Sequence, residues 1–213
     1  MRISCLHTAA SNIAVFEAAA TELGISPGVL RHEVRADLLA AAEKAGGLTA
    51  DIADATRLAP ISHAQSADAV ILTCSTLGPC VEAVTANAKT PILRTDGALA
   101  ALAASAASAG GRIVALCAVE TTVDPTFRLF SQAVQQSDAA VEVQLVPGAW
   151  ALFRAGDFDG YLSTIAKAAD HAYANGASIV ALAQASMSGA GALVSAGPPP
   201  LGSPIAGLAG GLA

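Results

Sequence analysis

The chain has 213 residues, a formal net charge of −6, 13% charged residues and only 4% aromatic residues. Its few lysines and arginines are scattered and form no basic stripe, which argues against a nucleic-acid-binding surface. No run of about 18 strongly apolar residues lacks a glycine, proline or polar interruption, and the opening residues lack the pattern of a signal peptide. We therefore expect a cytoplasmic protein that binds neither nucleic acid nor membrane.

Strand and helix patterns alternate along the chain, which predicts an α/β fold with parallel sheets and right-handed crossovers. Proline cannot donate the hydrogen bond that a helix interior needs, so Pro60 is predicted to end the third helix. The predicted strands are 3–6, 29–34, 69–73, 91–93, 112–118, 141–146 and 179–183. The predicted helices are 13–23, 37–45, 48–59, 78–88, 98–108, 124–137 and 161–175, with a last short helix after the loop 197–204.

The sequence contains an internal repeat at an offset of 110 residues. Residues 67–76 align with residues 177–186, and in this alignment Cys74 meets Gln184. Two separate strand patterns that share one offset indicate a duplicated α/β unit. The same offset also brings residues 2, 3 and 6 onto residues 112, 113 and 116.

The repeat predicts two similar halves that meet near Gly110-Gly111. We assign residues 1–97 and about 190–213 to the first α/β domain, and residues 98–189 to the second.

Polar loops follow several of the predicted strands, at the ends where parallel sheets bind their ligands. Their hydroxyl and amide groups, with few positive charges, suit a small carboxylate held at helix N-termini. No glycine-rich nucleotide-binding motif follows a strand, so we expect no nucleotide cofactor. The loops are 7–12, 74–76, 95–96, 120–122 and 184–186.

Four cysteines occur without metal-binding or Cys-x-x-Cys spacing, and we expect free thiols and no metal. Cys74 ends a strand and shortly precedes a helix, a location that favours a thiolate with a pKa below the ordinary value of about 8.5. That thiolate can serve as a general base or as a nucleophile. A small buried residue at a strand end is the alternative interpretation. Cys5 and Cys117 lie inside strands, and Cys80 is interpreted as structural.

His7 ends the first strand, where it can titrate, bind a substrate or simply hydrogen-bond within its loop. The other three histidines, His32, His63 and His171, are predicted to lie on the surface.

Thr73-Cys74-Ser75-Thr76 after a buried strand, and the second copy ending in residues 184–189, resemble the aspartate/glutamate racemase superfamily. This superfamily includes glutamate, aspartate and hydantoin racemases, maleate isomerase and arylmalonate decarboxylase. The resemblance covers essentially the whole chain. It implies two pseudo-symmetric domains with parallel-sheet cores and helices on both faces, an active site in the cleft between the domains, and no cofactor.

In the racemases of this superfamily one cysteine thiolate removes the Cα proton and an opposing thiol donates a proton to the other face. By the resemblance, Cys74 is the cysteine of the first domain and Gln184 stands at the position of the second, facing it across the cleft. His7 is included with the expected substrate-binding residues because of its strand-end position. The resemblance supplies the others, which are Asn12, Ser75, Thr76, Thr121, Thr122 and Ser186.

Gln184 departs from the superfamily pattern, because an amide does not exchange protons as a thiol does at neutral pH. Racemization by paired thiols should therefore be impaired or absent. Three hypotheses stay open for a small-carboxylate ligand. The first is a racemase-type isomerase that uses Cys74 and another proton donor, such as water or His7. The second is a single-thiol lyase, decarboxylase or cis–trans isomerase, although the cysteine of arylmalonate decarboxylase lies in the other half. The third is a binding protein without turnover. Each is compatible with a homo-oligomer.

Overall fold

A computed structural model of the chain describes residues 1–85, 88–107 and 110–212. The strands are β1 (Ile3–His7), β2 (Leu30–Val34), β3 (Ala69–Leu72), β4 (Ile92–Arg94), β5 (Arg112–Cys117), β6 (Ala140–Leu145), β7 (Ile179–Leu182) and β8 (Leu201–Gly202). The α-helices are α1 (Asn12–Glu22), α2 (Ala36–Ala45), α3 (Ala50–His63), α4 (Glu82–Thr85), α5 (Thr95–Ala106), α6 (Val123–Ala133), α7 (Ala149–Arg154), α8 (Phe158–Ala174) and α9 (Ser203–Leu212). Short 3₁₀ helices cover Gly78–Val81, Glu120–Thr122 and Ala185–Leu193.

The strands form two four-stranded parallel sheets, with the orders β2-β1-β3-β4 and β6-β5-β7-β8. The predicted α/β class with parallel sheets is therefore confirmed. β1 and β3 are buried along their whole length and are apolar except for Ser4 and His7 of β1. Such burial is expected for parallel strands that are covered on both faces. Within the described ranges, no helix is long and apolar enough to cross a membrane.

The chain divides into two compact units, Met1–Ala98 with Pro204–Ala213, and Leu99–Ser203. The first unit holds β1–β4 and the second holds β5–β8. Residues 190–203, which the sequence-based division gives to the first domain, belong to the second unit. The reason is β8, which adds to the second sheet by pairing with the last two residues of β7.

Strand pairing repeats with the same offset as the sequence. Residues 3–6 of β1 pair in register with residues 69–72 of β3. In the second unit, residues 113–116 of β5 pair with residues 179–182 of β7. Each of these residue numbers is 110 higher than its counterpart in the first unit. The position that follows each repeated strand is therefore equivalent in the two units.

Each unit has its own apolar core. In the first unit Leu6, Val70 and Leu72 of the sheet pack in one cluster with Leu38 of α2. Burying a leucine or valine side chain contributes about 1.5–3 kcal/mol to stability. A second cluster, in the second unit, includes Val114, Leu116, Tyr161, Ile165 and Val180.

Pro60 does not end the third helix, so that prediction is wrong. α3 continues to His63, and the Pro60 carbonyl accepts a hydrogen bond from Ala64 N–H at 3.0 Å. The last turn is held by the His63 side chain, whose Nδ1 lies 2.8 Å from Ser4 Oγ. These long-range contacts compensate for the one hydrogen bond that proline removes.

The helix predicted over residues 78–88 is replaced by a 3₁₀ turn at Gly78–Val81 followed by α4. Part of this prediction, at residues 86 and 87, lies outside the described residues, as does residue 108 of the helix predicted over 98–108. The sequence does not predict α7 and β8, because elements of six and two residues are too short to show a periodic pattern.

The C-terminal helix α9 packs closely against Thr95 of the first unit, and this packing can be tested by substitution. A Cβ atom on Gly207 would lie 2.4 Å from Thr95 Cγ2 and 3.2 Å from Thr95 Cα, whereas one on Gly210 would lie 3.9 Å from Ala98 Cβ. We predict that Gly207→Ala lowers the free energy of unfolding by about 1–3 kcal/mol through overpacking. Gly210→Ala, the matched control in the same helix, should leave it unchanged or raise it by up to about 1 kcal/mol. Urea denaturation followed by circular dichroism measures both, and equal effects of the two changes would contradict the packing.

Candidate active site

Cys74 lies just beyond the carboxyl ends of β1 and β3. The N–H of Thr73 donates to the Leu6 carbonyl at 3.1 Å, which extends the pairing of the two strands by one residue. The chain then turns into the 3₁₀ helix that begins at Gly78. The Cys74 side chain is consequently fixed at the sheet edge, and the residue is only 9% exposed.

Buried polar side chains are concentrated at this carboxyl edge of the first sheet, which we call the polar edge. Burying a polar group costs free energy unless it finds hydrogen-bond partners, so such a concentration needs a reason other than packing. The buried polar residues of the edge are His7, Thr8, Asn12, Thr73, Ser75, Thr76, Thr95 and Asp96. The first-unit residues predicted from the sequence to bind substrate, His7, Asn12, Ser75 and Thr76, are all among them.

The thiol of Cys74 experiences opposing influences. Burial raises its pKa, and the negative charge of Asp96 adds to this effect. Hydrogen bonds from the Thr8 side chain and from the backbone of Leu77 and Thr76 act in the opposite direction, because they favour the thiolate. Burial dominates, so the prediction of a pKa below the ordinary value is wrong. The helix that follows is a 3₁₀ turn of four residues, and its dipole is too short to overcome desolvation.

Asn12 is the first residue of α1 and is buried at the polar edge. Its Oδ1 atom has no hydrogen-bond partner among the described residues. An unsatisfied buried polar atom costs about 1–3 kcal/mol. The Asn12 amide is therefore a group that a ligand can satisfy, either as an acceptor or, with the amide reversed, as a donor.

His7 is engaged at both ring nitrogens. Its Nδ1 lies 2.9 Å from Thr73 Oγ1 and its Nε2 lies 2.8 Å from His32 Nδ1. Burial, with a contribution from His32, lowers the pKa of His7 to about 4, so the ring is neutral at neutral pH. A fully buried, neutral and doubly hydrogen-bonded imidazole is poorly suited to contact substrate or to donate a proton.

Two of the histidines predicted to be surface residues take part in internal networks, and that prediction is wrong for them. His32 is partly buried between His7 and Glu17, whose Oε1 lies 2.9 Å from His32 Nε2. His63 joins Ser4 to Glu33, whose Oε2 lies 2.6 Å from His63 Nε2. Their partners are 15 to 59 residues away in sequence, so no local pattern signals them.

Arg94 and Asp96 form a buried ion pair beside Cys74 that the sequence analysis did not identify. Arg94 Nε and Nη2 donate to the two carboxylate oxygens of Asp96 at 3.0 and 2.8 Å, and Nη1 contacts Glu82. A Cβ atom on Gly78 would lie 2.6 Å from Arg94 Nε, so glycine lets the guanidinium lie against the backbone. The Arg94 charge is thus already neutralised by carboxylates. The available sequence signal was the spacing of Arg94 and Asp96 at a strand end.

Gln184 occupies the equivalent position in the second unit. The N–H of Ala183 donates to the Leu116 carbonyl at 3.1 Å, which repeats the bond that precedes Cys74. The Oε1 atom of Gln184 then accepts a hydrogen bond from Ala118 N–H at 2.5 Å. The amide therefore ties the carboxyl ends of β5 and β7 together, which a thiol would do poorly.

The remaining second-unit residues lie at the carboxyl edge of the second sheet, and most are already hydrogen-bonded. Ser186 Oγ lies 2.9 Å from Tyr161 OH, and burial raises the pKa of Tyr161 to about 12. Thr122 Oγ1 donates to the Val119 carbonyl at 2.5 Å. In contrast, Thr121 Oγ1 and Ser188 Oγ are buried without a hydrogen-bond partner in the part of the chain that the structure describes.

The other three cysteines are buried, as Cys74 is. All four cysteines are free. Cys5 and Cys117 are fully buried inside strands, and burial, together with the charge of Glu17, raises the pKa of Cys5 to about 12. Burial also raises the pKa of Cys80, and a hydrogen bond with the Thr56 side chain opposes this increase.

Comparison with solved structures finds amino-acid racemases of the same fold. Aspartate racemase from Picrophilus torridus matches with a TM-score of 0.71 and 13% identity, over 99% of this chain and 92% of that chain. The glutamate racemase isoform RacE1 from Bacillus anthracis matches with a TM-score of 0.66 and 11% identity, over 98% of this chain and 79% of that chain. An aspartate racemase homologue from Pyrococcus horikoshii OT3 matches with a TM-score of 0.61 and 13% identity, over 99% of this chain and 97% of that chain.

No family model matches the sequence, and no curated protein matches it. At 11–13% identity the likeness to these structures establishes the fold. The resemblance indicated by the strand-end motifs is confirmed at that level, and the chain has the fold of the aspartate/glutamate racemase superfamily.

Proposed function

We propose that the chain is a cofactor-independent isomerase of the racemase/epimerase type. It acts at the α-carbon of a small carboxylate or amino-acid derivative, with Cys74 as the base. The observation that carries the proposal is the thiol of Cys74 at a strand end, among the buried polar residues of the polar edge, which also include the unsatisfied amide of Asn12. The racemase fold supports the proposal, because such strand ends are where open α/β sheets bind their ligands.

Neutral donors bind the substrate carboxylate in this proposal. Ser75 and Thr76 lie buried at the polar edge, and Asn12 offers its unsatisfied amide. Arg94 is not assigned to the carboxylate, because Asp96 and Glu82 already hold its guanidinium. Fixed neutral dipoles also stabilise the charge that moves onto the carboxylate oxygens when the α-proton leaves.

Proton removal begins with the thiolate of Cys74. The sulfur takes the α-proton, and the electrons of the broken C–H bond move into the carboxylate to form an enediolate-like intermediate. The Thr8 side chain and the backbone groups of Thr76 and Leu77 stabilise the thiolate by hydrogen bonding. Since burial raises the thiol pKa, only a small fraction of the protein carries the reactive thiolate at neutral pH.

Return of the proton to the opposite face is the step in which this chain departs from a paired-thiol racemase. We propose that Gln184, Thr121, Thr122 and Ser186 of the second unit also contact the substrate, with Gln184 as a neutral polar group. An amide is no proton donor at neutral pH, so the second proton comes from water in this scheme.

A single-thiol lyase or decarboxylase is the second candidate, and Gln184 is the residue that favours it. In a decarboxylation the C–CO₂ bond breaks, its electrons remain on the α-carbon, and one thiol delivers one proton to that carbon. A cis–trans isomerase with Cys74 as the nucleophile likewise needs no second thiol. A protein that binds a carboxylate without turnover is the remaining candidate, and it applies if none of these reactions is detected.

The first prediction on activity concerns Cys74 itself. Wild-type protein incubated in D₂O with amino acids, hydantoins, maleate or substituted malonates should exchange an α-proton or convert one of these compounds, as followed by NMR. Cys74→Ala should slow that reaction at least about 100-fold, because a positioned general base contributes about 10²–10⁴-fold. Cys80→Ala, which removes another buried thiol of the same unit, should react at nearly the wild-type rate.

Two results would contradict this prediction. Undiminished reaction of Cys74→Ala would remove the thiol from the mechanism. Saturable binding of a carboxylate by wild type without exchange or conversion would instead indicate a binding protein.

The second prediction concerns pH. Because the reactive form is the thiolate and the thiol pKa is raised, the reaction rate should increase from pH 7 to pH 9 without reaching a plateau. Thr8→Val removes a hydrogen bond that favours the thiolate, so it should raise the pKa further. A hydrogen bond to a charged atom is worth about 1.5–3 kcal/mol, so the rate at pH 7 should fall about tenfold or more.

Thr21→Val is the matched control, since Thr21 Oγ1 donates only to the Glu17 carbonyl among the contacts described. Its pH profile should overlay that of wild type. A rate that is constant between pH 7 and pH 9, or a Thr8→Val profile identical to wild type, would contradict the raised pKa.

A further inference from the structure

A cluster of nitrogen and sulfur atoms lies inside the first unit, apart from the proposed catalytic thiol. Ligand atoms of Cys5, His7 and His32 all lie within 4.8 Å of one another. Cys5 and His7 are alternate residues of β1, and His32 pairs with Cys5 in the neighbouring strand β2. The pleat of the sheet therefore directs the three side chains to the same face.

This face of the sheet is covered by α1. The ring of Phe16 lies 5.1 Å from that of His7, and Glu17 contacts His32. Cys74, in contrast, packs in the cluster of Leu6 and Leu72, whose side chains leave the opposite face. The two groups of residues are thus separate sites of one sheet.

Each imidazole has one nitrogen held by an oxygen and turns the other toward the cluster. His7 Nδ1 lies 2.9 Å from Thr73 Oγ1, and His32 Nε2 lies 2.9 Å from Glu17 Oε1. The inward atoms, His7 Nε2 and His32 Nδ1, are 2.8 Å apart. Metal-binding histidines have this arrangement, in which a hydroxyl, carbonyl or carboxylate oxygen fixes the ring and leaves the other nitrogen for the ion.

We propose that Cys5, His7 and His32 form a binding site for Zn²⁺. One thiolate and two imidazoles are a ligand set that zinc prefers, and the fourth position of the tetrahedron takes a water molecule. The sequence predicts no metal site, because these residues have no metal-binding spacing along the chain. Pairing of β1 with β2 supplies the juxtaposition that local spacing lacks.

Protons balance when the ion binds. Without metal, Thr73 can donate to His7 Nδ1, His7 Nε2–H to His32 Nδ1, and His32 Nε2–H to Glu17. With metal, the His7 proton moves to Nδ1 and is donated to Thr73 Oγ1, whose own hydroxyl then donates to the Leu6 carbonyl at 3.1 Å. Both rings stay neutral, and the only proton released to solvent is that of the Cys5 thiol.

The two inward nitrogens must move before both can bind the ion. Zinc–nitrogen bonds of about 2.0–2.1 Å at a tetrahedral angle separate the two nitrogens by about 3.4 Å. The inward nitrogens must therefore move apart from their present 2.8 Å. His32 can provide this movement, because its side chain is 12% exposed whereas His7 is fully buried.

Cobalt is the probe for this site, because Co²⁺ takes the geometry of zinc and is coloured. Full-length protein stripped with a chelator should bind one Co²⁺ per chain, with a thiolate-to-cobalt charge-transfer band in the near ultraviolet and strong visible bands of a tetrahedral ion. Zn²⁺ should displace the cobalt and remove the bands. Glu17→Gln should weaken Co²⁺ affinity about 10- to 100-fold by loosening the His32 ring.

Four variants assign the ligands. Cys5→Ser should abolish the charge-transfer band, and His32→Asn should abolish tetrahedral binding. The matched controls Cys117→Ser and His171→Asn should bind cobalt as wild type does. Melting temperatures measured alongside identify a variant that fails to fold. Because His32 is partly exposed, its variant decides the question if Cys5→Ser does not fold.

Absence of a charge-transfer band in the wild type would overturn the proposal. A band that survives in both Cys5→Ser and His32→Asn, or that disappears equally in Cys117→Ser, would do the same.

Discussion

One pair of backbone hydrogen bonds fixes the strand-end positions of Cys74 and Gln184. Thr73 N–H donates to the Leu6 carbonyl, and 110 residues later Ala183 N–H donates to the Leu116 carbonyl, each at 3.1 Å. Each bond prolongs the pairing of a central strand with its neighbour by one residue. A slip of one residue in that register would turn every side chain of the strand to the other face. The register therefore fixes the environment of the residue that follows, which is Cys74 in one unit and Gln184 in the other.

The two equivalent residues use their environments differently. Cys74 is a buried thiol whose pKa is raised by desolvation and lowered by hydrogen bonds from Thr8 and the backbone. Gln184 is a structural amide that caps the end of β5 through Ala118 N–H. The proposed single-thiol chemistry rests on this difference between the two equivalent positions. The buried hydroxyls and the unsatisfied Asn12 amide are the features of the polar edge that support the proposed ligand site.

Much of the fold could be predicted from the sequence, because its signals are local. Buried apolar runs mark the strands, and the shared offset marks the duplication. The errors arise where distant residues decide the outcome. α3 passes Pro60 because the side chain of His63 reaches Ser4 and Glu33. β8 is only two residues long, and it is recognisable only through its pairing with β7.

The candidate site could be predicted only in part, because some of its features are local in sequence and others depend on distant residues. Strand-end position identified Cys74, Ser75 and Thr76 as residues of the polar edge. The pKa of Cys74 could not be predicted, because it depends on burial and on hydrogen bonds from another loop. His7 was identified as a strand-end residue, but its link to His32 depends on the pairing of β1 with β2. The close approach of the Arg94 guanidinium to the backbone of Gly78 depends on the turn after β3, which the sequence does not reveal.

The stereochemical course of the reaction is the measurement that tests the central claim most directly. Both enantiomers of a substrate that exchanges in D₂O should be followed in wild type, Gln184→Ala and Gln184→Cys, with folding checked because Gln184 holds Ala118 N–H. The account predicts that wild type exchanges one enantiomer faster than it inverts it, and that Gln184→Cys gains racemization because a second thiol becomes available. Rapid racemization of both enantiomers by wild type, undiminished in Gln184→Ala, would contradict it.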